Sequence, residues 1–121
     1  ISDRIEAGTY AMAAAMTGGS VRLHQGRLDL IPTVAPLLTQ AGVCLEEEEE
    51  ALVVKAPSSR LQGVDMMTEP FPGFATDLQA QWMALMSLST GAAMITETIW
   101  ENRFMHVPEL CRMGANITVH G

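Results

Sequence analysis

The sequence predicts a mixed α+β fold made of a repeated βαβαββ unit, and three observations carry that prediction. Stretches of helical apolar spacing alternate with short strand-like runs along the whole chain. Two of the helical stretches lie in segments without a charged side chain, residues 7–21 and 78–96, whereas a surface helix shows a charged stripe opposite its apolar one. Short motifs also recur: Thr17-Gly18 reappears as Thr90-Gly91, 73 residues on, and Pro36-x-Leu38 with Gly42 reappears as Pro108-x-Leu110 with Gly114, 72 residues on. Recurrence at near-constant spacing marks a structural unit whose stacked copies bury faces that one copy leaves open. The first unit covers about 1–60 and the second, incomplete, about 61–121, so one and a half to two units form part of a single domain over residues 1–121.

Each element follows from its residues. Tyr10-Ala-Met-Ala-Ala-Ala-Met16 is rich in helix formers and is stopped by Gly18-Gly19. Ser20 to His24 alternates as a strand, and Pro32 suits the first turn of a helix that carries Val34, Leu37 and Leu38 and ends at Gly42. Val43 to Leu45 and Ala51 to Lys55 flank the run Glu46 to Glu50, which reads as a solvated hairpin tip because five adjacent carboxylates repel one another. The order then restarts, with Gly63 to Met67 as a strand and Glu69-Pro-Phe-Pro-Gly73 as an irregular loop. In the next helix Leu78, Trp82, Leu85 and Met86 share one face, with Thr76 as the expected cap and Gly91 beyond the end. Ala92 to Thr98 reads as a strand, His106 to Met113 as a short helix ended by Gly114, and Asn116 to His120 as a last strand.

Composition removes several function classes. Seven Lys and Arg against fourteen Asp and Glu leave a net charge of -7, which opposes a nucleic-acid footprint, since phosphate backbones require clustered cations. No apolar run reaches the roughly 18 residues of a membrane span. Cys44 and Cys111 are too few for a disulfide framework and read as reduced thiols, while His24, His106 and His120 have no metal-ligand spacing. Neither a metal nor a cofactor is expected. The nine methionines and both tryptophans, Trp82 and Trp100, read as packing residues. The chain opens at Ile1 and stops after a strand-like run, and is read as an internal segment of a longer polypeptide.

Three segments are more specific than pattern. Asp3-Arg-Ile-Glu-Ala-Gly-Thr9, Phe74-Ala-Thr-Asp-Leu-Gln-Ala-Gln81 and Glu97-Thr-Ile-Trp-Glu-Asn-Arg-Phe-Met-His-Val-Pro-Glu-Leu110 resemble segments of the UDP-N-acetylglucosamine enolpyruvyl transferases. The resemblance extends to the spacing between them and to both Thr-Gly helix ends. It implies the inside-out α/β barrel of that family, with two domains of three βαβαββ units, helices within and sheets outside, and the active site between the domains. It also implies a cytoplasmic bacterial enzyme of peptidoglycan synthesis whose substrates are UDP-N-acetylglucosamine and phosphoenolpyruvate. By the same resemblance, the family's phosphoenolpyruvate-contacting Lys, its mobile-loop Cys and most of its phosphate-binding Arg residues fall outside these 121 residues, so the chain alone is expected to be inactive. Cys44 and Cys111 sit in other motifs and do not inherit the loop cysteine's role.

In the reaction the resemblance implies, the sugar 3-hydroxyl adds to C2 of phosphoenolpyruvate as C3 is protonated, and the tetrahedral ketal then expels phosphate. Asp77 matches the family carboxylate beside that hydroxyl. A positioned carboxylate can accept the alcohol proton. A helix start favours the anion, so Asp77 is expected to orient the hydroxyl and take the proton late, and without the resemblance it would read as an ordinary helix-start Asp. Ile99 matches the position whose backbone meets the sugar. Arg103, in Glu101-Asn-Arg-Phe104, offers a guanidinium fork to a carboxylate or phosphate, or equally to a structural ion pair. The resemblance places Asp3 and Arg4 at the segment joining the two domains, facing the cleft. Two rival readings stand beside this one: the transferase acting on shikimate phosphate, disfavoured by the segments at 76–81 and 101–104, and a non-catalytic βαβαββ module of RNA-associated type, disfavoured by charge. The uncovered strand edge and apolar faces of an incomplete second unit predict self-association.

Overall fold

A computed structural model describes residues 3–121. Helix α1 spans Arg4–Met16, strand β1 Ser20–His24, helix α2 Val34–Gln40, and strands β2 and β3 Cys44–Glu48 and Ala51–Lys55. The second half holds β4 at Met66–Met67, α3 at Gln79–Met86, β5 at Ile95–Thr96 and α4 at Val107–Arg112. The fold is α+β.

The first sheet is antiparallel, in the order β1-β3-β2. Its middle strand is the apolar one, and Ala51, Leu52 and Val54 are buried. The glutamate run is not all turn. Glu46, Glu47 and Glu48 extend β2 opposite Val53, Leu52 and Ala51, and only Glu49 and Glu50 turn the chain, Glu50 at φ 68°. Pairing to an apolar strand satisfies the β3-facing backbone groups of this segment, while the three glutamate side chains stay in water and Glu48 meets Arg22 of β1.

The second sheet is parallel and short, with Met66 opposite Ile95 and Met67 opposite Thr96. The longer strands expected at 63–67 and 92–98 are reduced to this pair and one bridge between Gln62 and Thr90, because Gly63 lies against the Ala92 carbonyl and the Asp65 and Thr68 side chains take the Met94 and Thr98 N–H groups on either side of the pair. Residues 116–120, expected as a strand, have no regular structure and no paired neighbour among the described residues.

Helices α1 and α3 pack together over one core with β3. Gly8 makes the approach possible: a Cβ at this position would lie 2.8 Å from Leu78 Cδ1. Leu78, Trp82, Leu85 and Met86 are all buried as their spacing required, and Trp82 meets Phe74 edge-on at 6.0 Å. No residue of α3 is exposed, whereas α1 turns Tyr10 and Ala13 to the outside. The recurring glycines share a backbone conformation as well as a motif. Gly18 and Gly91 have φ of 74° and 77°, and Gly42 and Gly114 both 103°, left-handed values that favour a residue without Cβ. Gly18, Gly42 and Gly114 each follow a helix's C-cap residue, whereas α3 already ends at Met86 and Gly91 comes after the Thr90 bridge.

Candidate functional site

The residues singled out at 77, 99 and 103 come together where the turn before α3 meets the loop after β5. Thr76–Leu78 form a single 3-10 turn leading into α3. The Thr76 hydroxyl was expected to cap this helix, but it donates instead to Glu97 Oε1 at 2.8 Å, and no side chain caps the turn. Asp77, one residue on, is exposed, and its Oδ1 lies 3.9 Å from Nη1 of Arg103. Arg103 also stands 5.9 Å from the Trp100 ring centroid. Gln81 ties the Asp77 carbonyl down from the helix side, donating to it at 3.0 Å and to the Thr9 hydroxyl at 3.1 Å.

The centre of the arrangement is Glu97, to which sequence reasoning gave no role. Its Oε1 accepts from Thr76 and, at 2.9 Å, from the Gln79 amide. Its Oε2 accepts from the Thr68 hydroxyl at 2.8 Å and from the backbone N–H groups of Ile99 and Trp100 at 2.9 and 3.4 Å. Burial alone would push this carboxyl up, but the bonds from Gln79, the Ile99 N–H, Thr76 and Thr68 outweigh it and hold the pKa at about 2. Thr68 is fully buried, accepts from the Thr98 N–H at 2.9 Å and takes the Thr98 hydroxyl on its carbonyl, so this loop is fixed on both sides. The available signal was a carboxylate directly after a charge-free run, residues 78–96.

Asp3 and Arg4 lie elsewhere. Asp3 caps α1, with Oδ1 accepting from the Ile5 and Glu6 N–H groups at 2.6 and 3.3 Å. Arg4 stands over the Phe71 ring at 5.1 Å from its centroid. It lines a cleft of about 290 Å³ with Asp29, Ile31, Pro32, Phe71 and Pro72, to which Asp77, Ile99 and Arg103 do not contribute. Ile99 is half-buried, and its N–H is committed to Glu97. Among the described residues no three His, Cys, Asp or Glu side chains cluster as metal ligands, and no helix is long and apolar enough to cross a membrane.

A fold of this kind, with a carboxylate and a guanidinium paired at one end of a buried helix, defines a class that sequence comparison identifies. Residues 1–121 match the EPSP synthase (3-phosphoshikimate 1-carboxyvinyltransferase) family, and the chain belongs to it. Within that family it is similar to UDP-N-acetylglucosamine 1-carboxyvinyltransferases: 66% identical over 121 residues to that of Rhodospirillum centenum and 60% to that of Granulibacter bethesdensis. The whole chain takes part in these matches but spans only 28% and 29% of the two relatives' lengths. The fold is similar to that of the enolpyruvyl transferase NikO from Streptomyces tendae, with a TM-score of 0.87 over 99% of this chain and 28% of the other, at 23% identity.

Proposed function

We propose that this chain is a segment of an enzyme that transfers enolpyruvate from phosphoenolpyruvate to the 3-hydroxyl of UDP-N-acetylglucosamine, releasing phosphate in the first committed step of peptidoglycan synthesis. The observation that carries the reading is identity of 55–66% along essentially its whole length to enzymes named for carboxyvinyl transfer to that sugar nucleotide. That level supports the nucleotide-sugar enzyme over the shikimate one, whose name describes the wider family.

Within this reading Asp77 is the catalytic residue. Its exposure leaves the carboxylate open to accept the proton of a hydroxyl, and the Arg103 guanidinium lies 3.9 Å away on the same rim. Arg103 keeps further donors for an anionic group of the substrates, since a guanidinium has five. Ile99 presents backbone to the sugar, Arg4 and Asp3 belong to the segment leading in from a second domain, and no metal or cofactor is required. The two units, about 1–60 and 61–121, are supported by the matching conformations of Gly18 with Gly91 and Gly42 with Gly114. The enzyme works in the bacterial cytoplasm, and this segment alone is inactive.

The test is phosphate release by the full-length polypeptide and by the 121-residue chain. Release from phosphoenolpyruvate that depends on UDP-N-acetylglucosamine, by the former only, is expected. Release driven by shikimate 3-phosphate instead would overturn the substrate assignment.

A further inference from the structure

Asp77 and Ile99 stand on separate backbone segments, and the link between them is one carboxylate. Glu97 takes Thr76 and Gln79 on Oε1, the side of the Asp77 turn, and Ile99 and Trp100 on Oε2, the side of its own loop. The amide nitrogen of Gln79 that reaches Glu97 also donates to the Arg103 carbonyl at 3.2 Å. All three proposed ligand-facing positions are therefore either bonded to Glu97 or one covalent or hydrogen-bonded neighbour removed from it. Among the described residues no Lys or Arg forms a salt bridge with this carboxylate, so neutral donors alone hold it.

Ionised carboxylate oxygens are acceptors only, and here each faces at least two donors. An amide at position 97 would have to turn its NH₂ toward one set of them. The less costly choice is the Oε1 side, because the Thr76 hydroxyl can rotate and the buried Gln79 Oε1, which has no partner among the described residues, can turn to accept. That rearrangement takes the Gln79 NH₂ away from the Arg103 carbonyl, while the bonds to Ile99 and Trp100 persist. The two halves of the clamp are thus chemically separable.

We propose that Glu97 is a positioning residue for the transfer reaction, holding the Asp77 turn and the Ile99–Arg103 loop in one fixed relation to the sugar hydroxyl. The inference rests on the enolpyruvyl-transfer reading above and adds a residue to it. Displacement of a reacting group by an ångström costs up to about 100-fold in rate. E97Q, which disturbs the Asp77 side and spares the Ile99 side, is expected to lower kcat by about tenfold or more while the KM for UDP-N-acetylglucosamine stays within about threefold. E97A frees both sides and raises that KM as well.

The experiment uses the full-length polypeptide, with kcat and KM measured for wild type, E97Q, D77N and the double variant. Because Glu97 acts through Asp77, E97Q should cost little further once Asp77 is already Asn, whereas a purely structural role gives independent, multiplying losses. Multiplying losses, or E97Q turning over within twofold of wild type, overturn the proposal. If E97Q does not fold, T76V replaces it, removing one donor to Oε1 with the same expected non-additivity. Amide hydrogen exchange supplies a readout without turnover: the Ile99 and Trp100 amides should exchange at least about tenfold faster in E97A and little changed in E97Q. Unchanged exchange in E97A would show that Glu97 holds no loop. A wild-type polypeptide that showed this protection but no UDP-N-acetylglucosamine-dependent release would fail the functional reading and leave the clamp standing.

Discussion

Arg103 and Asp77 face each other across the gap between the β5 loop and the start of α3, with 3.9 Å between Nη1 and Oδ1 and both side chains about half exposed or more. At that separation in water the pair is weak, worth about 1 kcal/mol or less. Its significance is chemical. A carboxylate stands beside a guanidinium with donors to spare, without being buried under it.

Replacing Asp77 by Asn in the full-length polypeptide should therefore leave the fold alone and remove the proton acceptor. Turnover is expected to fall by about 100-fold to 10,000-fold, the usual range for general-base assistance. The KM for UDP-N-acetylglucosamine should move far less, since the amide still hydrogen-bonds a hydroxyl. Steady-state phosphate release measures both, and a variant within a few-fold of wild type would show the carboxylate to be dispensable.

Two glycines should respond differently to alanine. At Gly63 the new Cβ would sit 2.7 Å from the Ala92 carbonyl oxygen, which is backbone and cannot rotate away, so a loss of about 1–3 kcal/mol is expected. At Gly8 the Cβ meets the end of the Leu78 side chain at 2.8 Å, and the gain of up to about 1 kcal/mol from replacing a mid-helix glycine offsets part of the strain. Urea unfolding of the two variants should rank Gly63→Ala as the more damaging.

Acid should probe Glu97 directly. Its folded pKa of about 2 lies below the ordinary 4.5, so the unfolded chain binds the proton first as pH falls. The stability this gives is complete above about pH 4.5 and is lost on the way down to pH 2. Unfolding curves at intervals across that window should show a steeper loss for wild type than for Glu97→Gln, and parallel curves would contradict the clamp's electrostatics.

Large apolar side chains stand in water on the second half: Met94, Trp100, Met105 and Met113 are 59–82% exposed. The isolated 121-residue chain should cover them by forming dimers or larger species. Light scattering that finds a clean monomer at high concentration, with cooperative unfolding, would reject this.

Much of the architecture was legible in the sequence because periodicity and glycine report local conformation. The burial of Leu78, Trp82, Leu85 and Met86 followed from spacing, and the helix ends before Gly18, Gly42 and Gly114 from residue type, whereas α3 stops at Met86, short of Gly91. Strand length did not follow, since the short β4–β5 pair depends on contacts across 29 residues, such as the bond from the Met94 N–H to Asp65. Thr76 looked like a cap because Thr before a helix usually is one, yet a distant carboxylate competed for its hydroxyl and won. Glu97 was invisible for the same reason. Its five donors come from residues 68, 76, 79, 99 and 100, and three of those five are 18 or more positions away.

The three glutamates that extend β2 occupy the outside strand of the first sheet, whose far edge has no partner strand among the described residues. Their mutual repulsion makes that edge a poor template for an incoming strand at neutral pH. Strong acid neutralises carboxylates and takes the repulsion away, leaving an extended backbone with open donors and acceptors beside an apolar centre. Purification or storage of this chain in acid thus carries a fibril hazard, and salt and pH belong among the first variables to fix in handling it.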